Sequence, residues 1–174
     1  MKIQFQPFQE SDLPLFRKWL SEPHAKPFWQ ETEDDLQLRD KFLNRYPEMG
    51  MCPYIIYLEQ TPIGYIQSYE ACRVGSGWWP KARRGIFGVD LFIGDANFYS
   101  KGWGPKILRQ FIHDLISNNN VEGIIINPEP KNLKAIAAYK KLGFKKGDVI
   151  ETPNGKAQLL SLDPKEFINS LNKA

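Results

Sequence analysis

One stretch, residues 86–117, restricts the folds open to this chain more than any other. Ile86-Phe87-Gly88-Val89-Asp90-Leu91-Phe92-Ile93 is a mostly apolar run with the length of a buried central strand. A short polar loop ends in Lys101-Gly102-Trp103-Gly104. Then Ile107, Leu108, Phe111, Ile112, Leu115 and Ile116 recur at helical spacing, which predicts a helix to about Ser117 with Pro105 in its first turn. A strand, a glycine loop and a helix start together present free backbone N–H groups and the positive end of a helix dipole, the arrangement that binds phosphate. Lys101 and Lys106 add charge. The spacing is neither G-x-x-x-x-G-K-[ST] nor G-x-G-x-x-G, so P-loop and dinucleotide fingerprints are excluded. Taken alone, G-x-G before a helix is equally an ordinary tight turn.

Around this unit the periodicities give an order. Ile3–Phe8 alternates as a first strand. Ser11 is positioned to cap a helix to Leu20, and Thr32, followed by three acids, opens a second helix to about Tyr46, with Leu36, Leu43 and Tyr46 as core contacts. The loop between them, His24 to Trp29, carries aromatic residues. Pro53–Leu58 and Ile63–Tyr69 are strands joined by a short turn, hence antiparallel neighbours. A loop from Cys72 to Gly85 holds Trp78-Trp79 and the bases Lys81, Arg83 and Arg84. After the central unit come a strand at Gly123–Asn127, a helix from Asn132 stopped by Gly143, a hairpin about Pro153-Asn154-Gly155, and a last helix capped by Asp163-Pro164.

The 174 residues, 42% hydrophobic and 25% charged, suit one globular domain with a core of its own. The net charge of +3 is uneven: residues 1–50 carry seven Lys/Arg against nine Asp/Glu, the remainder sixteen against eleven. A mild basic bias in the later part fits a phosphate-bearing small ligand; no basic run alternates with aromatics, so nucleic acid is not an expected partner. Cys52 and Cys72 read as buried thiols, not a disulfide framework or zinc site, and His24 and His113 are too far apart in the chain for a histidine-rich metal site. No metal is expected. No run approaches a membrane span and the N-terminus does not read as a signal peptide, so a cytoplasmic protein with no membrane partner is expected.

Tyr99-Ser100-Lys101-Gly102-Trp103-Gly104 resembles the pyrophosphate loop of the GCN5-related N-acetyltransferases (GNAT), whose pattern is Gln/Arg-x-x-Gly-x-Gly/Ala, with Tyr99 at the first polar position and Pro105 removing one amide. Asn132 to Phe144 resembles that family's Asn-x-x-Ala-x-x-x-Tyr-x-x-x-Gly-Phe segment. Pro62–Tyr69, Gly77-Trp78-Trp79, Gly88–Asp95 and Thr152–Gly155 are similar, in the same order, to the aminoglycoside 6'-N-acetyltransferases of the Ib type. The resemblance implies an α/β (α+β) GNAT fold. That means a central mixed, mostly antiparallel twisted sheet of about seven strands, helices on both faces, splayed at the acetyl-CoA site, in one domain spanning 1–174. It implies acetyl transfer from acetyl-CoA to an amine of a small molecule, the aminoglycoside 6'-amine, by a monomer or homodimer.

It also implies roles for residues. Asp90 is the base or relay; a lone carboxylate in an apolar strand is costly unless used, and burial raises its pKa. Tyr139 faces the acetyl-CoA sulfur and donates to the departing thiolate. Leu91, Phe92 and Ile93 pair through their backbone with the pantetheine arm, Asn132 caps its helix and meets the same arm, and Lys101, Gly102, Trp103, Gly104 and Lys106 hold the pyrophosphate. Tyr65, Tyr69, Trp78 and Trp79 form an acceptor wall, with core packing the rival for the two tyrosines. Asp90, Asn127 and Glu129 complete the acceptor contacts. Two departures bear on the acceptor. Ser76 and Asn127 stand where the subfamily has acids, and Lys81, Arg83 and Arg84 would repel a polycation. A less cationic amine therefore remains an alternative acceptor, and a non-catalytic acyl-CoA-binding domain an alternative of another class.

Overall fold

The computed structural model describes residues 1–29, 34–74, 83–152 and 154–173. Among them no helix is long and apolar enough to cross a membrane, and no group of three His, Cys, Asp or Glu is placed to hold a metal. The described chain forms two compact units, Met1–Tyr69 with Leu91–Gly104, and Glu70–Asp90 with Pro105–Ala174.

In the first unit, β1 (Ile3–Pro7), β2 (Met51–Leu58) and β3 (Thr61–Glu70) are antiparallel neighbours, with Phe5 opposite Ile56 and Ile55 opposite Tyr65. The end of β4 (Ile86–Ile93) lies beside β3, where the Ile63 carbonyl accepts from the amides of Gly94 and Asp95 at 2.9 and 3.1 Å. Helix α1 (Leu13–Leu20) buries Phe16, Trp19 and Leu20. The next helical stretch is α2 (Asp35–Asp40), a π-helical turn at Lys41–Arg45 and the short α3 (Tyr46–Glu48). Their apolar faces meet in an aromatic cluster of Phe8, Phe16, Trp19, Phe42, Tyr65 and Phe92, with ring centroids of Phe16 and Phe42 4.8 Å apart. Gly94 is fixed by that packing, because any Cβ there would run into the Trp19 ring.

In the second unit, the start of β4 pairs in parallel with β5 (Gly123–Ile126) over Ile86–Gly88. β5 pairs antiparallel with β7 (Gly155–Leu162), and β7 with β6 (Lys145–Thr152). Three helices belong here: α4 (Trp103–Asn118), whose first two residues fall in the first unit, α5 (Leu133–Lys141) and α6 (Pro164–Leu171). The predicted stripe of α4 is buried at Ile107, Leu108, Phe111, Ile112 and Leu115.

Seven strands of mixed direction with intervening helices answer the expected fold class. Four local expectations change. The turn before α1 is closed by a reciprocal Gln9–Asp12 capping box rather than by Ser11. Asp34 caps α2, accepting from Gln37 N–H at 2.8 Å; Thr32 lies outside the described residues. Leu36, placed in the core by its spacing, is 77% exposed, and the buried face runs through Leu38 and Phe42 instead. Cys52 and Cys72 are exposed, not buried: Cys52 sits on the outward phase of β2, and Cys72 in a short 3-10 turn after β3.

Candidate active site

Asp90 and Tyr139 both belong to the second unit. Asp90 is half-buried on β4 and Tyr139 half-buried on α5. Helix α5 is set by its ends: the Asn132 side chain accepts from the Ala135 N–H at 3.2 Å, and Gly143 takes φ +100° to stop it. The Tyr139 ring packs 6.0 Å from that of Phe144. Burial holds the Tyr139 phenol well above the ordinary range, and the negative charge of Asp90 pushes it the same way. The hydroxyl therefore stays protonated at any working pH.

The glycine loop belongs to the first unit. Ser100 and Gly102 take left-handed backbone, φ 60° and 80°. A Cβ built at Gly102 or at Gly104 meets no heavy atom of the described residues within 4 Å. Backbone conformation accounts for Gly102, but nothing among the described residues accounts for Gly104, which weakens the first turn of α4. Both face open space, as a cradle that a ligand approaches closely must.

A family model described as an acetyltransferase (GNAT) domain matches residues 9–152. The chain belongs to the GNAT acetyltransferases. Among its relatives is an aminoglycoside N(6')-acetyltransferase type 1 of Klebsiella pneumoniae, 35% identical over 153 residues that cover 85% of this chain and 76% of the relative. Among solved structures, the aminoglycoside acetyltransferase AAC(6')-Ib in complex with coenzyme A superposes with a TM-score of 0.90 at 29% identity, covering 98% of this chain and 99% of that one. Its complex with coenzyme A and kanamycin gives 0.89 at the same identity and the same shares. This GNAT protein is an acetyl-CoA-dependent N-acetyltransferase.

The other sequence-derived candidates fall as follows. Tyr65 is fully buried, its hydroxyl donating to Gln67 Oε1 at 2.6 Å inside the aromatic cluster, and Tyr69 is buried too. Phe92 and Ile93 are buried and Leu91 half-buried. Lys101 and Lys106 are exposed and Trp103 half-buried. Asn127 is half-buried and Glu129 exposed, on a turn held by Gln158 N–H to Pro128 O at 2.8 Å and Asn132 N–H to Glu129 O at 2.9 Å. Trp78, Trp79, Ser76 and Lys81 lie outside the described residues. Arg83 is ion-paired with Glu122. A groove of about 520 Å³ on the second unit, lined by Lys106, Arg109, His113, Lys141 and Leu142 among others, includes neither Asp90 nor Tyr139. Two residues of the first unit carried no assigned role in the sequence. Trp29 packs against Phe92 at 4.7 Å and Tyr65 at 5.6 Å, and His24 meets Ile93 and Tyr99. The aromatic content of the His24–Trp29 loop was the signal available for both.

Proposed function

We propose that the protein acetylates the 6'-amine of an aminoglycoside, with Asp90 and Tyr139 as its proton-handling pair. What supports the mechanism is the placement in one unit of a half-buried carboxylate on β4 and a half-buried phenol on α5, with the Asp90 charge raising the pKa of that phenol. Acyl transfer from a thioester needs a neutral amine beside the carbonyl and a proton for the leaving sulfur. The amine nitrogen attacks the carbonyl carbon, the C–N bond forms and the C–S bond breaks. The nitrogen gives a proton to Asp90, and the departing sulfur accepts a hydrogen bond from the Tyr139 hydroxyl. The proton on Asp90 passes to the phenol oxygen as the phenol proton passes to sulfur, so Tyr139 relays the proton and is never left as a phenolate. Amine and thioester become amide and thiol with no net proton released.

Leu91 and Ile93 would pair through their peptide groups with the pantetheine amides, and Asn132, already using its side-chain oxygen as a cap, keeps its amide N–H donors for the same arm. The open faces of Gly102 and Gly104, with Lys101 and Lys106, suit the pyrophosphate. Asn127, Glu129, Trp78 and Trp79 are the acceptor-side candidates. The acceptor itself rests on similarity to the aminoglycoside 6'-acetyltransferases.

Thiol release from acetyl-CoA, measured with a 6'-amino aminoglycoside and with the analogue bearing a 6'-hydroxyl, tests the reading. Turnover is expected with the amine and not with the hydroxyl. Turnover only with neutral or singly charged amines would overturn the aminoglycoside acceptor, and no turnover with any amine would overturn the enzyme reading.

A further inference from the structure

One imidazole in the first unit ties the end of β4 to the opening of the glycine loop. His24 follows α1 in a turn closed by Ala25 N–H to Glu22 O at 3.0 Å, and the next residue, Ala25, is buried in the aromatic cluster. Its Nε2 lies 2.9 Å from the Ile93 carbonyl oxygen, and its ring is stacked on that of Tyr99, centroids 4.3 Å apart and planes 27° from parallel. A carbonyl only accepts, so Nε2 carries the hydrogen and donates it. Ile93 ends β4, and Tyr99 occupies the first position of the glycine loop.

The chain between these two points is already turned by its own bonds. The Asp95 side chain accepts from the Asn97 N–H at 2.8 Å, and the Asp95 carbonyl accepts from Phe98 and Tyr99 at 3.0 and 3.1 Å. The next residue, Ser100, is left-handed without being glycine. Such a conformation is strained for any residue with a side chain and persists only where its surroundings hold it. The ring stack grips the residue immediately before it.

We propose that His24 is a positioning residue for acetyl-CoA: through Tyr99 and the Ile93 carbonyl it holds the turn at Tyr99–Ser100 so that the peptide N–H groups of Gly102–Gly104, which follow it, face the pyrophosphate. The proposal rests on the glycine loop being the acetyl-CoA site. The chain thereby uses an aromatic clasp at the loop position where the family pattern has Gln or Arg.

The test is calorimetry of acetyl-CoA with the full chain, its His24→Ala, Tyr99→Ala and doubly substituted variants, and His24→Phe, which keeps a ring but loses the donor. Each Ala variant is expected to weaken acetyl-CoA about tenfold, and the double variant no more than either alone, because the two rings act as one unit. His24→Phe should recover part of the loss. In steady state, KM for acetyl-CoA rises while kcat stays within about twofold, a split that general destabilisation would not produce. Amides 99–103 should exchange hydrogen faster in ligand-free His24→Ala. Wild-type protein that fails to bind acetyl-CoA would overturn the loop's assignment. Wild-type protein that binds, with a folded His24→Ala that binds equally well or losses that add in the double variant, would overturn the clasp alone.

Discussion

Gly102 allows charge and shape to be separated at a single position. Its φ of 80° disfavours any side chain, and a Cβ there meets no described residue within 4 Å. Asn and Asp have nearly the same shape and tolerate left-handed backbone better than other residues. Gly102→Asn and Gly102→Asp should therefore lose about the same stability, on the order of 1 kcal/mol, which lowers Tm by roughly 2–4 °C in a chain of this size. Their acetyl-CoA affinities should differ. If the pyrophosphate sits over the loop, an Asp charge would lie about 5 Å from one phosphate and about 8 Å from the next. Even in water-like dielectric the two repulsions sum to about 1.4 kcal/mol, a tenfold loss, and a drier site increases it. Calorimetry at low salt should find Gly102→Asp at least about tenfold weaker than Gly102→Asn, the gap closing near 1 M salt, where the screening length falls to about 3 Å. Equal affinities in the two folded variants would refute the placement of the pyrophosphate here.

Gly94→Ala should destabilise by about 1–3 kcal/mol or more, visible as a lower denaturant midpoint, because the added methyl runs into Trp19. Asp90→Asn should cut turnover by about two orders of magnitude or more while leaving acetyl-CoA affinity within about twofold; full turnover across pH would remove Asp90 from the proton path. In that variant the Tyr139 pKa should also fall toward the ordinary phenol value, read by phenolate absorbance, since one of the two causes of its elevation is gone. In wild-type protein the folded state keeps the Tyr139 proton at pH values where the unfolded chain gives it up. Stability should then drop as pH rises past about 10, and Tyr139→Phe should flatten that drop in alkaline denaturation curves. Tyr54, whose phenol is also raised by burial, contributes in the same direction in both proteins, so their difference isolates Tyr139.

Much of this was legible in the sequence, and the reasons are local. Strand β4 was bounded to the residue because Gly85 and Gly94 flank an unbroken apolar run, and Asn132, Gly143 and Asp163 act as caps through bonds to their immediate neighbours. What escaped depends on contacts far apart in the chain. Leu36 fits the apolar spacing, but α2 turns Leu38 and not Leu36 onto Phe42 and the aromatic cluster. Tyr65 reads equally as wall or core until Phe8, Phe16 and Phe42 surround it from three other segments. The pairing of His24 with a carbonyl 69 positions away leaves no periodic trace at all.

The basic loop shows the same limit in electrostatic form. From composition, Lys81, Arg83 and Arg84 form a block that repels polycations. In the fold, the turn at Gly85 brings the start of β5 against that loop: Glu122 N–H donates to Gly85 O at 2.7 Å, and the Glu122 side chain lies so close that a Cβ at Gly85 would crowd it. The same Glu122 carboxylate pairs with Arg83. Such a solvent-exposed pair adds little stability, yet it turns a full positive charge into a dipole whose field falls off faster with distance. Arg83 therefore contributes little to any long-range repulsion of an aminoglycoside, and Arg83→Ser should change aminoglycoside KM less than Arg84→Ser at low salt. The opposite order would mean that Glu122 releases Arg83 when the acceptor binds.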